Sequence, residues 1–369
     1  MQRLVKTAPA DNWLIRISGI FSGVESDILR NLGASPIKKL GREFLLVRIK
    51  DPAVLQHSVA AKFVRWNIPV HHSWPCCPRD IPGFIEKAAQ ALLRKLGQSR
   101  PQTIMAGPLD PDESNGYYRA LASNLRGRML QVFSPQMSGV MDAAAQDCQA
   151  PTLFCLVGSQ GLFCGLQSPA ASHGFYPGGT KFIRQNAPGT ISRAGAKIAE
   201  ALHQLQLDRP LPAPGSHWLE LGASPGGMTA ELLARDYRVT AVDKAPLDKR
   251  LDHAPGLRFV LAKADTFLPP ADDVYDAILS DMNGYAAESI RHVTRFAKDL
   301  RPHGLVVFTL KLTGAATFIA INDIEKRVLD HAADAGLRVF SRTHLTYNRR
   351  EFTFLFEPEP VDSVPPQST

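Results

Sequence analysis

The sequence predicts an α/β protein in which a doubly wound, mostly parallel sheet follows a smaller α+β region. Three observations carry that expectation. After Ser216, apolar strand-like runs alternate with helix-like stretches, the pattern a parallel sheet with crossover helices imposes. A glycine-rich turn, Gly222 to Gly227, directly follows the first of these runs, at the strand end where such sheets bind ligands. Ahead of the sheet, residues 169–189 shift to Gly, Pro, Ser and Ala and include Pro177-Gly178-Gly179, which reads as a boundary.

From the N-terminus, Trp13 to Ile17, Val24 to Asn31 and Phe44 to Ile49 read as strand, helix and strand, an α+β unit assigned to residues 1–75. A second unit, 76–170, opens with a helix from about Ile81 to Leu96, with Pro82 in its first turn and Gly97 after its last apolar position. Two strands follow within Thr152 to Leu166 around a Ser159-Gln160-Gly161 turn. The domain 171–357 contains strand-like runs near 217–221, 238–242, 258–262, 276–280 and 305–310, and helix-like stretches near 227–235, 286–300 and 317–335. Residues Pro358 to Thr369, rich in Pro, Ser and acids, are expected to form a disordered tail.

Composition narrows the function classes. Hydrophobic residues make up 44% and charged residues 21% of the 369, the balance of a globular protein, and no apolar run approaches the roughly 18 residues of a membrane span. Met1 to Leu14 lacks the apolar core of a secretory signal. The five cysteines, Cys76, Cys77, Cys148, Cys155 and Cys164, are odd in number and form no CxxC pair, which fits a reduced, cytoplasmic setting. Adjacent His71-His72 and Cys76-Cys77 do not give four convergent ligands, so no metal is expected. Gly174 to Lys181 ends Gly-Thr-Lys, the wrong order for a Walker phosphate loop. The net charge is +7, and residues 1–100 hold 16 Lys and Arg against 7 Asp and Glu. Such asymmetry points either to a polyanion-binding appendage or to a solvated basic face.

The strand ends carry the chemistry. Glu220-Leu221-Gly222-Ala223-Ser224-Pro225-Gly226-Gly227 follows the first run, and its glycines allow close backbone approach to a nucleotide-type ligand, with Ser224 and Pro225 in the same turn. The second run ends in Asp243, about 20 residues on, where a carboxylate can accept hydrogen bonds from a ribose diol. Together they favour an adenosine-containing cofactor. A dinucleotide is disfavoured, because the loop lacks the GxGxxG spacing. The third run leads to Asp265, a candidate partner for an adenine amine or else a capping aspartate. The fourth delivers Asp281, and the fifth Lys311. A lysine ending an apolar strand needs a buried anion, so Asp281 and Lys311 are expected to face each other.

With Leu221 to Gly227, Ser280-Asp281-Met282, Leu310-Lys311-Leu312, Arg349-Arg350-Glu351 and Ser192-Arg193-Ala194-Gly195-Ala196-Lys197-Ile198, the chain resembles the FtsJ-like (RrmJ-type) ribose 2′-O-methyltransferases. It is most similar to their RlmM-type branch, which acts on large-subunit ribosomal RNA. The resemblance covers residues 171–357 and implies a Rossmann-like class I methyltransferase domain using S-adenosylmethionine. It maps the family's Lys-Asp-Lys-Glu tetrad onto Lys197, Asp281, Lys311 and Glu351, with Lys311 as general base. It also implies a ferredoxin-like unit and a THUMP-like RNA-binding region at the N-terminus, where no motif matches. Met228, where the family usually has Trp, and Asn283-Gly284 depart from the pattern.

The expected cofactor contacts are therefore Gly222, Ser224, Pro225, Gly226, Gly227, Asp243, Asp265 and Asp281, and the expected partner is RNA, with no membrane and no obligate protein partner evident. Alternatives are a 2′-O-methyltransferase for transfer RNA or a capped messenger end, and a non-catalytic RNA-binding protein with a relict cofactor pocket. Lys197 beside Lys311 would favour a neutral base, while Asp281 and Glu351 pull the other way. Of Arg349 and Arg350, adjacent in an expected strand and so on opposite faces, at most one is expected to meet RNA phosphate.

Overall fold

The computed structural model describes residues 11–76, 78–110, 116–133, 146–185 and 189–360. The chain forms two compact units, Met1–Lys181 and Phe182–Thr369. No helix among the described residues is long and apolar enough to cross a membrane.

In the first unit, β1 (Asn12–Ile17), α1 (Glu25–Asn31), β2 (Ser35–Leu40), β3 (Phe44–Arg48), α2 (Val54–His57) and β4 (Val64–Pro69) build a sheet of order β2-β3-β1-β4. All its pairings are antiparallel, the ferredoxin-like arrangement in which β3 lies between β1 and β2. Strands β2 and β4 were not foreseen. β2 is an edge strand whose Pro36, Ile37, Lys38 and Lys39 face solvent, so it carries none of the apolar alternation that marks a half-buried strand. β4 does alternate, with Val64, Trp66 and Ile68 separated by Arg65 and Asn67, and all of these are buried.

A second sheet, order β5-β8-β7-β6, comprises β5 (His72–Trp74), β6 (Thr103–Pro108), β7 (Thr152–Gly158) and β8 (Gly161–Gln167), with helices α3 (Ile81–Leu96) and α4 (Tyr117–Phe133). Helix α3 has the foreseen bounds, and the Asp80 carboxylate caps it by accepting from Gly83 N at 3.2 Å. His71 accepts from Leu166 N at 3.0 Å and Cys76 is buried among core side chains, as turn and core residues do; Cys77 lies outside the described residues. The short α5 (Pro169–Ser172) and the residues after it as far as Lys181 belong to this unit. The buried Arg16 guanidinium donates to Gly178 O at 2.7 Å and to Thr180 Oγ1.

The second unit holds α6 (Ala194–Leu205), β9 (His217–Leu221), α7 (Gly227–Leu233), β10 (Arg238–Asp243), β11 (Leu257–Leu261), β12 (Tyr275–Ser280), α8 (Ala286–Thr294), β13 (Leu300–Lys311), α9 (Phe318–Asp334), β14 (Leu337–Thr343) and β15 (Glu351–Pro358). The sheet order is β11-β10-β9-β12-β13-β15-β14. The first five strands are parallel, and β15 runs antiparallel to both neighbours. Ile198 and Leu202 of α6 and Leu232 of α7 pack with Trp218, Val239, Leu279 and Val307 on one face of the sheet. The alternate residues Leu219, Ile278, Val306 and Phe308 are buried on the other, where α8 and α9 pack against β12, β13 and β14.

Four boundaries differ from expectation. Helix α8 ends at Thr294, not near 300, and β13 begins at Leu300, five residues before its apolar run. Pro358, assigned to the tail, is the last residue of β15, and Glu359 N donates to Gly336 O at 2.8 Å; residues 361–369 of that tail lie outside the described residues. Arg349 and Arg350 sit in a bend ahead of β15 rather than in the strand. Strand order reverses between β9 and β12, the switch point at which an open α/β sheet leaves a ligand crevice.

Candidate active site

Two lysines and two carboxylates meet at the carboxyl edge of the sheet. Lys311, the last residue of β13, pairs directly across the ladder with Glu351, the first residue of β15. Asp281 leaves the neighbouring strand β12 at the same edge. Lys197 enters from α6. Its Nζ donates to Asp281 Oδ1 at 3.0 Å, Asp281 Oδ2 at 2.8 Å and Glu351 Oε1 at 2.7 Å. Lys311 Nζ donates to Asp281 Oδ1 and Glu351 Oε2, both at 2.6 Å. The expected facing of Asp281 and Lys311 is thus present, and all four side chains retain at most 15% exposure.

The contacts distinguish the two lysines. An ammonium has three donors. Among the described residues Lys197 has three oxygens around it and Lys311 two, so Lys311 keeps one position open. Burial works to lower the Lys311 value, but Asp281 and Glu351 outweigh it and hold the ammonium above the ordinary lysine range. Burial alone would raise Asp281, yet Lys311 and Lys197 hold it below the usual carboxylate range. In the resting site the carboxylates therefore win the contest that the sequence left open.

Local packing fixes Lys197. A Cβ on Gly195 would lie 2.8 Å from Gly227 O, so the start of α6 touches the start of α7 only because neither residue has a side chain. One turn beyond Lys197, the buried Glu200 carboxylate accepts from Thr346 N at 2.9 Å and Tyr347 N at 3.1 Å. It ties α6 to the β14–β15 turn that precedes Glu351. Replacing Glu200 by Ala leaves two backbone donors without this acceptor, at a cost of about 1–3 kcal/mol each if both stay buried. A lowered melting temperature is expected, with recovery in Glu200→Gln smaller than complete because the bonds lose their charge.

Beside the tetrad lies a cavity of about 630 Å³ at the ends of β9, β10, β11 and β12, a size suited to a cofactor. Gly222, Ser224, Pro225, Gly227, Asp243, Asp265 and Asp281 line it, leaving Gly226 as the exception among the expected contacts. Gly226 turns the chain into α7 at φ +106°, with Leu251 where its Cβ would be. Gly222 has φ +82°, and a Cβ there would lie 2.9 Å from Met282 Cγ, so backbone forms the cavity wall. The Asp243 carboxylate accepts from Ser224 N at 2.9 Å and Ala245 N at 2.8 Å, which holds the glycine turn in place and leaves acceptor capacity for a diol. Asp265 is exposed at the wall in the turn after β11. Met228 is buried at the wall. Asp281 belongs to both cavity and tetrad.

Of the wall residues that received no role from the sequence, Glu220 stands apart by its burial and charge. Glu220, in β9, is buried beneath the glycine turn and accepts from Thr229 Oγ1 at 2.7 Å. Burial, countered by the Thr229 bond and reinforced by Asp281 and Asp243, pushes its carboxyl up to about 8. The signal was present, since a glutamate inside an otherwise apolar strand needs a local reason.

Sheet order, glycine turn and strand-end acid define a Rossmann-like domain with a nucleotide-type ligand site. Residues 190–331 match the family model of the FtsJ-like methyltransferases. A protein named ribosomal RNA large subunit methyltransferase M from Halorhodospira halophila is 31% identical over 180 residues, 48% of this chain and 50% of that protein. One of the same name from Cellvibrio japonicus is 30% identical over 191 residues, covering 50% and 52%. Another from Saccharophagus degradans is 27% identical over 291 residues, covering 75% and 77%. The matches to the first two relatives span about half of their length.

Proposed function

We propose that this chain is an S-adenosylmethionine-dependent RNA ribose 2′-O-methyltransferase acting on large-subunit ribosomal RNA, with Lys311 as general base. The observation that carries the reading is the asymmetry of the tetrad. Lys197 is saturated by three carboxylate oxygens, while Lys311 has two and an open third position. The cavity fits the cofactor: Asp243 for the ribose diol, Asp265 for the adenine amine, the Gly222 backbone wall for close approach, and the buried Glu220 for a cationic group. When bound, S-adenosylmethionine supplies a methyl group activated on a sulfonium.

The chain's own residues handle the proton. Neutral Lys311 can keep donating two N–H groups to Asp281 and Glu351 and direct its lone pair, the third position, at a ribose hydroxyl. After proton transfer the ammonium returns to a site already built for a cation. Lys197 holds both carboxylates so that neither rotates away, and positioning of this kind supports an in-line displacement. The basic excess of residues 1–100 supports RNA binding by the N-terminal unit, and this reading assigns 76–170 as THUMP-like. The names of the relatives support ribosomal RNA as the substrate.

Glu220 makes cofactor binding proton-linked. Its carboxyl, near 8 in the cofactor-free protein, is mostly protonated at pH 7, and a cation entering the cavity favours its ionised form. Binding therefore releases a proton, and affinity rises with pH towards 8. Calorimetry in two buffers of different ionisation heat should detect the release in the wild type and lose it in Glu220→Gln. Identical heats in both buffers for the wild type would remove Glu220 from this role.

Substrate class is tested with labelled S-adenosylmethionine and unmodified large-subunit ribosomal RNA, transfer RNA and capped messenger transcripts. Transfer to ribosomal RNA alone is expected. Transfer to another class would replace that substrate, and absence of cofactor binding would leave a non-catalytic RNA-binding protein.

A further inference from the structure

We propose that Tyr285 is a stacking platform for an unpaired RNA base at the mouth of this site, an inference that rests on the RNA methyltransferase reading. Tyr285 follows Asp281 by four residues and directly precedes α8. The residue is 69% exposed, and its side chain has no ring contact or hydroxyl hydrogen bond among the described residues. Its backbone is fixed: Tyr285 O accepts from Glu288 N at 3.0 Å and Ser289 N at 3.1 Å. An exposed ring on an anchored backbone loses little freedom when it binds.

Position separates this residue from an ordinary exposed aromatic. Glu288, Ser289 and His292 of α8 line the cofactor cavity, and their spacing of three to four residues continues back to 285. Asp281, Met282 and Asn283 line the same cavity from the other side in sequence. Tyr285 is thus bracketed by wall residues without being one, which places it at the rim. Thr313 Oγ1, two residues past Lys311, donates to Gly284 O at 3.2 Å, so the Tyr285 loop is tied to the loop that leaves the proposed base.

A ribose presented to Lys311 brings its own base and its neighbours against this rim. RNA read in single-stranded segments has unstacked bases, and an aromatic face accepts any of them. A protein partner is the less favoured occupant, because the rim belongs to the loops that hold Asp281 and Lys311.

The test is steady-state transfer to unmodified large-subunit ribosomal RNA by Tyr285→Ala, Tyr285→Leu, Tyr285→Phe and Tyr285→Trp. Ala and Leu should raise KM for RNA by about tenfold or more with little change in kcat, while Phe and Trp stay within about twofold of wild type. Affinity for S-adenosylmethionine, measured by calorimetry, should be unchanged in all four. A Leu variant equal to wild type would overturn stacking, as would an Ala variant with unchanged KM. A wild type that binds the cofactor but methylates no RNA would overturn both this inference and the reading beneath it.

Discussion

Lys311→Arg and Lys311→Ala should each lower methyl transfer by about 10²–10⁴-fold, the range over which a positioned general base acts. The arginine variant is the sharper test. It keeps a cation between Asp281 and Glu351 but cannot give up a proton at any working pH. Lys311 does not line the cavity, so both variants should bind S-adenosylmethionine as the wild type does. The pH dependence has a defined sign. Because Asp281 and Glu351 hold the Lys311 ammonium above its ordinary value, the neutral base is scarce at pH 7 and becomes more abundant as pH rises. The chemical step should therefore accelerate by about tenfold per pH unit between about 7 and 9. A flat profile with an active Lys311→Arg variant would assign the base elsewhere.

Asp281→Ala should be the most destabilising single change in the tetrad. It removes three of the five hydrogen bonds among these groups and leaves two ammonium groups sharing Glu351. Breaking a buried pair from one side costs about 3–5 kcal/mol, and the residual exposure of both lysines places this case near 3. A melting temperature lower by roughly 6–12 °C is expected in thermal denaturation. The double variant Asp281→Ala, Lys197→Ala removes the surplus cation and should recover part of the loss. The folded-state value of Asp281 is lowered, so its contribution is present above the ordinary 3.8 and fades as pH falls through the lower folded value. The gap between wild type and Asp281→Ala should close along the same course. A double variant less stable than the single one, or a gap independent of pH in acid, would mean that charge balance is not what the tetrad supplies.

The parallel half of the sheet was legible because each of β9, β10, β12 and β13 carries an apolar run that ends at, or is followed at once by, a glycine turn or a charged residue. Asp243, Asp281 and Lys311 stand out because charge follows immediately on burial. β15 was anticipated only as a strand at Arg349-Arg350-Glu351, with its course beyond Glu351 unread. Buried on both faces through Glu351 to Phe356, it carries a Phe at every second position, Phe352, Phe354 and Phe356, with Glu351, Thr353 and Leu355 between them. The tetrad pairing of Lys311 with Glu351 depends on the β13–β15 register, a long-range fact that no local pattern encodes. Lys197 was found through the family motif around it, since an isolated helical lysine reads as solvated surface. Glu200 and Glu220 were overlooked for a common reason: their partners, the Thr346 and Tyr347 amides and the Thr229 hydroxyl, are set by packing and not by spacing. Gly226 was assigned to the cofactor because the loop reads as a unit, whereas the fold uses that glycine to turn the chain.

The central claim is that the tetrad moves a methyl group to a ribose hydroxyl. The most direct measurement is transfer of labelled methyl from S-adenosylmethionine to unmodified large-subunit ribosomal RNA, followed by alkaline hydrolysis of the product. Label in an alkali-resistant dinucleotide, absent with Lys311→Arg, is the predicted result, because a 2′-O-methyl group blocks cleavage of the following phosphodiester. Label released in an ordinary mononucleotide would place the methyl on a base and contradict the account.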